Sequence, residues 1–422
     1  MLKRLVSNRT DTLPQIQVQE IPQDPAVANL QLPDTRSPLE RFRTQPKKAL
    51  SVTDLVSPAW CELQYWYTLT IHGRKKRTAA MKQGSFVHQQ LEDQVHTTVK
   101  VDVETKEDAW GLRIWNVIQG LRTLRDTGLT RELEIWGTVD GLVVNGVIDE
   151  LSYICPDVEL DNAIHATAAK NEPAPDQMTI SEFFGSKGGA TISDAAKIKR
   201  REKSKKIYLA DVKTRGGRTL PSGAAFKPTK MQLMLYHRLI SELAANTVEF
   251  DTLAARYNLD SGRMFSDVFI AQVGSLNDEM FYDAQSQPNP SQDEDPWSQD
   301  SMTTLLAHNN LSALWSLMIS EFQRTMPDEE SLGKVLKAEY RSRDTGEIVG
   351  NKTLAMDENE LNDYVKHEME WWRGKREPEG VNVEEAYKCR SCDFAESCEW
   401  RLKKVEEAQE KARMKRKRTA AV

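Results

Sequence analysis

Asp211 and Lys213 stand two residues apart in KIYLADVKT, an apolar-rich run that reads as a β-strand. Strand side chains alternate between faces, so Ile207, Leu209, Asp211 and Lys213 share one, and the carboxylate and the ammonium project together about 6.6 Å apart along the chain. Alone, such a pair is more often a strand-edge ion pair than a site. A second carboxylate changes the chemistry. Asp149 lies in GVIDEL, read as a strand directly after an Asn145-Gly146 turn, and meets Asp211 if the two strands adjoin. Two such carboxylates suit a hard divalent cation, Mg²⁺ or Mn²⁺ in its place, which keeps several waters, binds a phosphate oxygen and supplies a hydroxide nucleophile for phosphodiester hydrolysis. A nearby lysine positions that water or offsets negative charge growing on the phosphorus centre.

Two helical segments carry further candidates. In MKQGSFVHQQLEDQVH, His88 precedes Glu92 by four residues, so both fall on one face, with Phe86, Val87, Leu91 and Val95 on or near the apolar side. In TKMQLMLYHRLISELAA, Gln232 and Tyr236 share the same spacing and are able to steady a water, the lysine or a nucleic acid; otherwise they form the polar edge of an amphipathic helix. The five cysteines are unevenly placed. Cys389-x₂-Cys392-x₅-Cys398 brings three thiolates together and Cys61 offers a fourth from the other end of the chain, a set that suits tetrahedral Zn²⁺ or an iron-sulfur cluster, between which spacing does not choose. Cys155 stands apart and reads as a small core residue. The run Gly346-Glu-Ile-Val-Gly350-Asn-Lys-Thr353 approaches a phosphate loop, but Asn351 interrupts the Gly-Lys-Thr contact, so no motor is expected.

These residues need a scaffold, and the 422-residue chain is long enough for one elaborated domain. Residues 1–48, rich in Pro, Gln, Asp and Thr, read as a disordered leader whose Lys3, Arg4 and Arg9 precede the first acid at Asp11, a pattern compatible with a mitochondrial presequence. The body spans 49–405. It opens on the aromatic-rich SVTDLVSPAWCELQYWYTL, where Ser51 or Thr53 caps a helix, and continues to a strand-rich stretch, RELEIWGTVDGLVVNGVIDELSYI, whose Asp140-Gly141 and Asn145-Gly146 pairs both signal hairpins in an antiparallel meander. Polar insertions are expected near 156–205 and 285–300. Helical patterns follow the helix at 229–245, and a charged helix end with a basic tail closes the chain at 406–422. No apolar run approaches membrane-spanning length. The net charge of −6 excludes whole-molecule attraction to nucleic acid and leaves local runs, Arg74–Arg77, Lys197–Lys206 and Arg413–Arg418, as cationic patches.

Taken in order, GSFVH, GVID, DVK and QLMLY resemble the RecB-type branch of the PD-(D/E)xK nucleases, with Ile148-Asp149 in place of the usual Pro-Asp. The lone upstream cysteine and the C-terminal Cys-x₂-Cys-x₅-Cys, bracketing those motifs, resemble the iron-sulfur staple of the exonuclease V family, and the likeness covers most of residues 50–405. The resemblance implies an α/β fold, a restriction-endonuclease-like mixed β-sheet flanked by helices with helical elaborations. It implies Mg²⁺-dependent exonuclease activity on single-stranded DNA, with His88, Asp149 and Asp211 on the metal, Lys213 orienting the attacking water, Gln232 and Tyr236 beside it, and a 4Fe-4S cluster on Cys61, Cys389, Cys392 and Cys398. Trp60, Tyr65 and Trp66 are candidate stacking surfaces for the strand. A monomer with a single-strand-binding protein as partner is expected, in mitochondria or, on the basic runs, in the nucleus. The rival readings are a non-catalytic metal-stapled single-strand-binding module and a flap or endonuclease.

Overall fold

The computed structural model describes residues 2–7, 34–73, 78–171, 205–284 and 301–420. In chain order its elements are β1 (Leu2–Ser7), α1 (Pro38–Phe42), β2 (Leu50–Ser51), α2 (Val52–Val56), α3 (Glu62–His72), α4 (Ala79–Glu92), β3 (His96–Val101), α5 (Lys106–Thr127), β4 (Leu129–Val139), β5 (Leu142–Ser152), α6 (Val158–Asn171), β6 (Tyr208–Arg215), α7 (Lys227–Ala244), α8 (Phe250–Tyr257), α9 (Asp267–Ala284), α10 (Ser301–Ala307), α11 (Leu311–Thr325), β7 (Val335–Ser342), β8 (Ile348–Ala355), α12 (Glu358–Trp372) and α13 (Glu399–Ala420). Short 3₁₀ segments, among them Val383–Ser391, join several of them. No helix among the described residues is long and apolar enough to cross a membrane.

Asp140 and Gly141 form the turn expected of them. Both adopt positive φ, 50° and 73°, as a two-residue hairpin loop requires, and β4 and β5 pair antiparallel over their whole length from Val139↔Leu142 to Leu129↔Ser152. Asn145-Gly146, expected as a second turn, instead lies within β5 opposite Trp136 and Ile135. Its glycine serves a close approach: a Cβ at Gly146 would stand 2.7 Å from Tyr236 Cε1 and 3.0 Å from Val52 Cγ2. The expected meander is therefore one long hairpin, and Asp149 sits seven residues into its second strand rather than just past a turn.

The hairpin supplies two strands of a six-stranded mixed sheet. One edge of β5 is taken by β4; the other is shared by β2, parallel at Val144–Asn145, and β6, antiparallel at Glu150–Ser152. β6 then runs parallel to β7 from Ala210↔Lys337 to Arg215↔Ser342, and β7 pairs antiparallel with β8. These last two strands occupy a stretch where the sequence suggested mainly helices, and β7 makes β6 a central strand rather than an edge. The phosphate-loop look-alike falls on the β7–β8 turn and β8 itself.

Helices cover both faces. α7 packs across β4, β6 and β7, burying Leu233, Leu235, Tyr236, Leu239 and Leu243, while α4 sets Val87 and Leu91 on Val212. α5, capped at its start by the reciprocal Thr105–Asp108 bonds and ended by Gly128 in the left-handed region, packs against β4 and α11. Trp136, Trp371, Trp372, Phe269 and Phe322 are fully buried in the core. Two expectations change. Residues 2–7, placed in the leader, form β1 beside β3, where Asn116 bonds both the N–H (3.0 Å) and the carbonyl (2.8 Å) of Leu5. The insertion near 156–205 begins with α6, because VELDNAIHATAAKN lacks internal Gly and Pro; its remainder to 204, residues 285–300 and Arg74–Arg77 lie outside the described residues.

The close packing at Gly146 sets a stability test. Gly146→Ala must displace Tyr236 or Val52, so it is expected to lower unfolding stability by about 1–3 kcal/mol in chemical denaturation. An unchanged midpoint would show that Asn145-Gly146 is not held beneath α7.

Candidate active site

The β5–β6 ladder pairs Ser152, Leu151 and Glu150 with Tyr208, Leu209 and Ala210, and it stops there. Its next pair would be Asp149 and Asp211. Instead the strands part, and Asp149 Oδ2 accepts a hydrogen bond from the Val212 N–H at 2.7 Å, a side chain taking the place of a ladder carbonyl. Two carboxylates from separate segments thus face each other where the sheet opens, as expected for Asp149 and Asp211. Asp211 is fully buried, and Lys213 Nζ lies 2.9 Å from its Oδ1 and 2.8 Å from its Oδ2, though Oδ2 receives no aligned hydrogen bond.

α4 delivers the imidazole. Gly84 lets that helix approach β6, since a Cβ there would stand 2.9 Å from Thr214 Oγ1, and His88 follows one turn later. Its Nε2 lies 3.1 Å from the Val212 carbonyl, and its Nδ1 faces Glu132 Oε1 at 3.2 Å and Asp149 Oδ1 at 3.7 Å. A neutral His88 with the proton on Nε2 would donate to Val212 and turn the Nδ1 lone pair toward the carboxylates, the arrangement of an oriented metal ligand. One ligand atom each from His88, Glu132 and Asp149 falls within 4.8 Å of the others.

Glu132 was not among the sequence candidates. It is directly across the hairpin from Asp149, between the Arg131↔Glu150 and Leu133↔Ile148 pairs, and its φ of 52° is in the left-handed region within a strand. A non-glycine residue held there costs about 1–3 kcal/mol, strain of a kind concentrated at functional sites. A signal existed: counting outward from the Asp140-Gly141 turn puts Glu132 opposite Asp149. Reading Asn145-Gly146 as a second turn broke that count.

The field of the site follows from this crowding. Burial and the neighbouring Asp211 charge push the Asp149 carboxyl up to about 7, against the opposing pull of Lys213 and His88. Burial pulls the Lys213 ammonium down, but Asp211 and Asp149 outweigh it and hold the group above its ordinary value, so it is a cation at neutral pH. Burial likewise lowers His88, and the Glu132 bond with the Asp149 and Glu132 charges more than compensates. Burial, then Asp211 and Asp149, raise the Tyr236 phenol well above its usual range, so its proton stays on.

The remaining candidates divide. Gln232 Nε2 donates to Tyr236 Oη at 2.9 Å, leaving the phenol proton free to point at an acceptor. Glu92 bonds Arg4 instead of facing His88 and is not part of the donor set. Cys61, Cys389, Cys392 and Cys398 line one pocket with Trp60, Tyr67, Phe394 and Trp400, and none forms a disulfide. Cys155 is half-buried elsewhere, beside Tyr208. Of the proposed stacking residues, Trp60 faces the thiol pocket, Tyr65 is buried with its hydroxyl on Asp54, and Trp66 packs edge-on against Trp371 at 6.5 Å, so the last two serve the core. A second donor set, Glu62, His367 and Glu368, is already committed, because Arg376 holds both Glu62 oxygens at 2.7 Å.

The family model described as "Exonuclease V - a 5' deoxyribonuclease" matches residues 37–401. The chain is 24% identical over 368 residues to exonuclease V of Danio rerio, covering 86% of this chain and 73% of that protein. It is 24% identical over 419 residues to the mitochondrial exonuclease V of Eremothecium gossypii, 84% of this chain and 77% of the relative. It is 26% identical over 234 residues to that of Candida glabrata, 47% and 42% respectively.

Asp149 gives a signed prediction for the metal-free protein. Its carboxyl titrates near 7 in the fold and near 3.9 in an unfolded chain, so the folded state keeps the extra proton between those values, and stability falls as pH rises from about 4 through 7. Asp149→Asn removes this contribution. Chemical denaturation in EDTA at pH 5 and pH 8 should show a smaller loss for the variant than for the parent; equal losses would mean that Asp149 is not held against Asp211.

Proposed function

The chain belongs to the exonuclease V family and is a DNA exonuclease, and from that premise we propose that it hydrolyses single-stranded DNA from its ends in a Mg²⁺-dependent reaction at the mouth of the β5–β6 opening. One observation carries the reading: Asp149 and Asp211 converge where their ladder stops, with the Lys213 ammonium 2.8 Å from Asp211. We read this as the constellation of a PD-(D/E)xK nuclease, a reading that the mixed sheet flanked by helices supports.

The donors fit a divalent cation. Asp149, raised to about 7 by burial and by Asp211, and Asp211 Oδ2, buried without an aligned donor, both gain from a positive charge between them. His88, Asp149 and Asp211 are the proposed ligands, joined by Glu132; Mn²⁺ would substitute for Mg²⁺. Bound there, the cation would neutralise phosphate charge and acidify a water. The protein's own groups do the rest. Lys213, charged at neutral pH, donates to the attacking water or to a phosphate oxygen, and is excluded as a general base in that state. Val212 fixes the His88 ring through its carbonyl and the Asp149 carboxylate through its N–H, so one peptide unit positions two ligands. Tyr236, steadied by Gln232, keeps a proton available to an oxyanion.

The four thiols support an iron-sulfur cluster, which we place on Cys61, Cys389, Cys392 and Cys398. The pocket they line is apolar, and the cysteine spacing that resembles the exonuclease V staple supports the cluster over tetrahedral zinc, which the same four thiols would also suit. The cluster's role is structural: it joins Cys61 to the far end of the domain. The family's description as a 5′ deoxyribonuclease directs attack to 5′ ends, and the yeast relatives' mitochondrial designation supports mitochondrial residence, with the nucleus as runner-up. The protein is proposed to act as a monomer alongside a single-strand-binding protein.

Two experiments test this reading. End-labelled linear single strands should be degraded in Mg²⁺ and not in EDTA, a circular single strand should survive, and Asp211→Asn or Lys213→Met should lower the rate by about 10²-fold or more. Cleavage of the circle would indicate an endonuclease, and binding that never shortens the strand in Mg²⁺ would indicate the non-catalytic module. Separately, anaerobically purified parent protein should contain iron and acid-labile sulfide and Cys392→Ala should lose both with its colour. Stoichiometric zinc without sulfide would replace the cluster assignment.

A further inference from the structure

Strand β6 carries a third polar side chain on the face of Asp211 and Lys213. Alternation puts Arg215 there, about 6.6 Å beyond Lys213 along the strand. Its register partner on β7 is Ser342, as that of Lys213 is Tyr340. The neighbouring cations are matched. Lys213 lies 2.8 Å from Asp211, Lys337 and Arg341 share Glu339 at 2.7 and 2.6 Å, and Arg343 stands 3.7 Å from Asp344. Glu347, the other acid of the β7–β8 turn, accepts from the Thr345 hydroxyl at 3.2 Å. Arg215 makes no ion pair among the described residues. Its Cζ lies 5.8 Å from the centre of the Tyr340 ring, a contact that steadies the group without neutralising it.

The guanidinium also reaches solvent. Arg215 is half-buried, and Nη1 is its one nitrogen both shut off and without a partner, so the side-on edge formed by Nε and Nη2 stays open. Past Arg215 the chain leaves the core: Gly216, Gly217, Arg218 and Thr219 are exposed, and a Cβ at Gly217 would meet nothing within 4 Å. A planar edge with two parallel N–H groups matches two oxygens of a phosphate. An unmatched, partly desolvated cation gains from such an anion what its paired neighbours already receive from carboxylates.

Position chooses the phosphate. With the scissile group at Asp149, Asp211 and Lys213, a strand laid along β6 brings its neighbouring linkage toward Arg215, one side-chain repeat further on. We propose that Arg215 is a binding residue for the substrate strand, its Nε and Nη2 holding the phosphate adjacent to the one being cut, so that β6 grips two successive linkages. The proposal rests on reading Asp149, Asp211 and Lys213 as the cleavage site. It makes Arg215 the residue that fixes the register of the strand against that centre.

The test measures binding, with Ca²⁺ in place of Mg²⁺ to withhold cleavage, to linear single strands carrying one neutral methylphosphonate linkage at successive positions. In the full-length parent, the linkage next to the cut, located from product lengths in Mg²⁺, should weaken binding about tenfold more than linkages outside the site. In Arg215→Gln that linkage should lose its extra cost while the scissile linkage keeps its own. Overall affinity should fall about tenfold, and the salt slope should drop by about 0.7. Arg215→Met, whose unbranched stem still packs on Tyr340, decides the matter if Arg215→Gln fails to fold. Identical linkage profiles in parent and variants, whatever the change in thermal stability, would overturn the proposal and leave Arg215 as a support for Tyr340. An equal fall at every linkage would overturn it too, as the effect of an unlocalised surface charge. Failure of the cleavage-site reading shows separately, as undiminished digestion by Asp211→Asn, because the linkage profile is read by binding alone.

Discussion

Two like charges brought together out of water are the constraint around which this fold is arranged. Asp149 and Asp211 would be direct partners on an unbroken antiparallel ladder, close enough for each to oppose the other's ionisation. The sheet answers by ending the ladder at that point and surrounding the pair with compensating groups: the Lys213 ammonium, the His88 ring and the Val212 N–H. Even so, burial and the Asp211 charge hold the Asp149 carboxyl up at about 7. Readiness for a cation is thus a property of how the strands part.

That parting depends on residues far from any chemistry. β5 must bend away from β6 while its other edge stays paired with β4, and β2 occupies the vacated edge only as far as Asn145. Gly146 then admits the Tyr236 ring against the strand, so α7 settles close enough for its phenol to feel both aspartates. On the opposite face Gly84 does the same for α4 and His88. Two glycines, one in a strand and one in a helix, set the depth at which the two helices deliver their polar side chains.

This explains what was legible in the sequence. Asp211 and Lys213 were readable because strand alternation is a two-residue rule, and His88 because GSFVH lies on a strongly patterned helix. Glu132 was not, since its role depends on the register of a hairpin whose second strand contains a false turn signal. An Asn-Gly pair marks a turn when the backbone needs positive φ; here the glycine answers to side-chain crowding, which one sequence does not show. β7 and β8 were missed for a related reason: β7 is buried on both faces, and its run VLKAEYRS carries paired charges, Lys337 and Arg341 on Glu339, that mimic a helix surface.

The thiol pocket shows a different economy. The segments that carry Cys61 and the three C-terminal cysteines are also joined without any metal: Arg376 grips Glu62 through two 2.7 Å bonds, the Glu379 N–H adds a third, and Leu63 donates to the Glu379 carbonyl at 3.1 Å. On the other flank of Cys61, buried Lys388 donates to the Trp60 carbonyl at 2.9 Å and lies 4.8 Å from the Trp60 ring centre. Cys61 is therefore held from both neighbours, and the four thiols face one pocket through protein contacts alone. A group bound there adds to a closure already made, much as a cation at the sheet opening adds to a charge arrangement already in place. In both sites the geometry is set by the chain's own contacts.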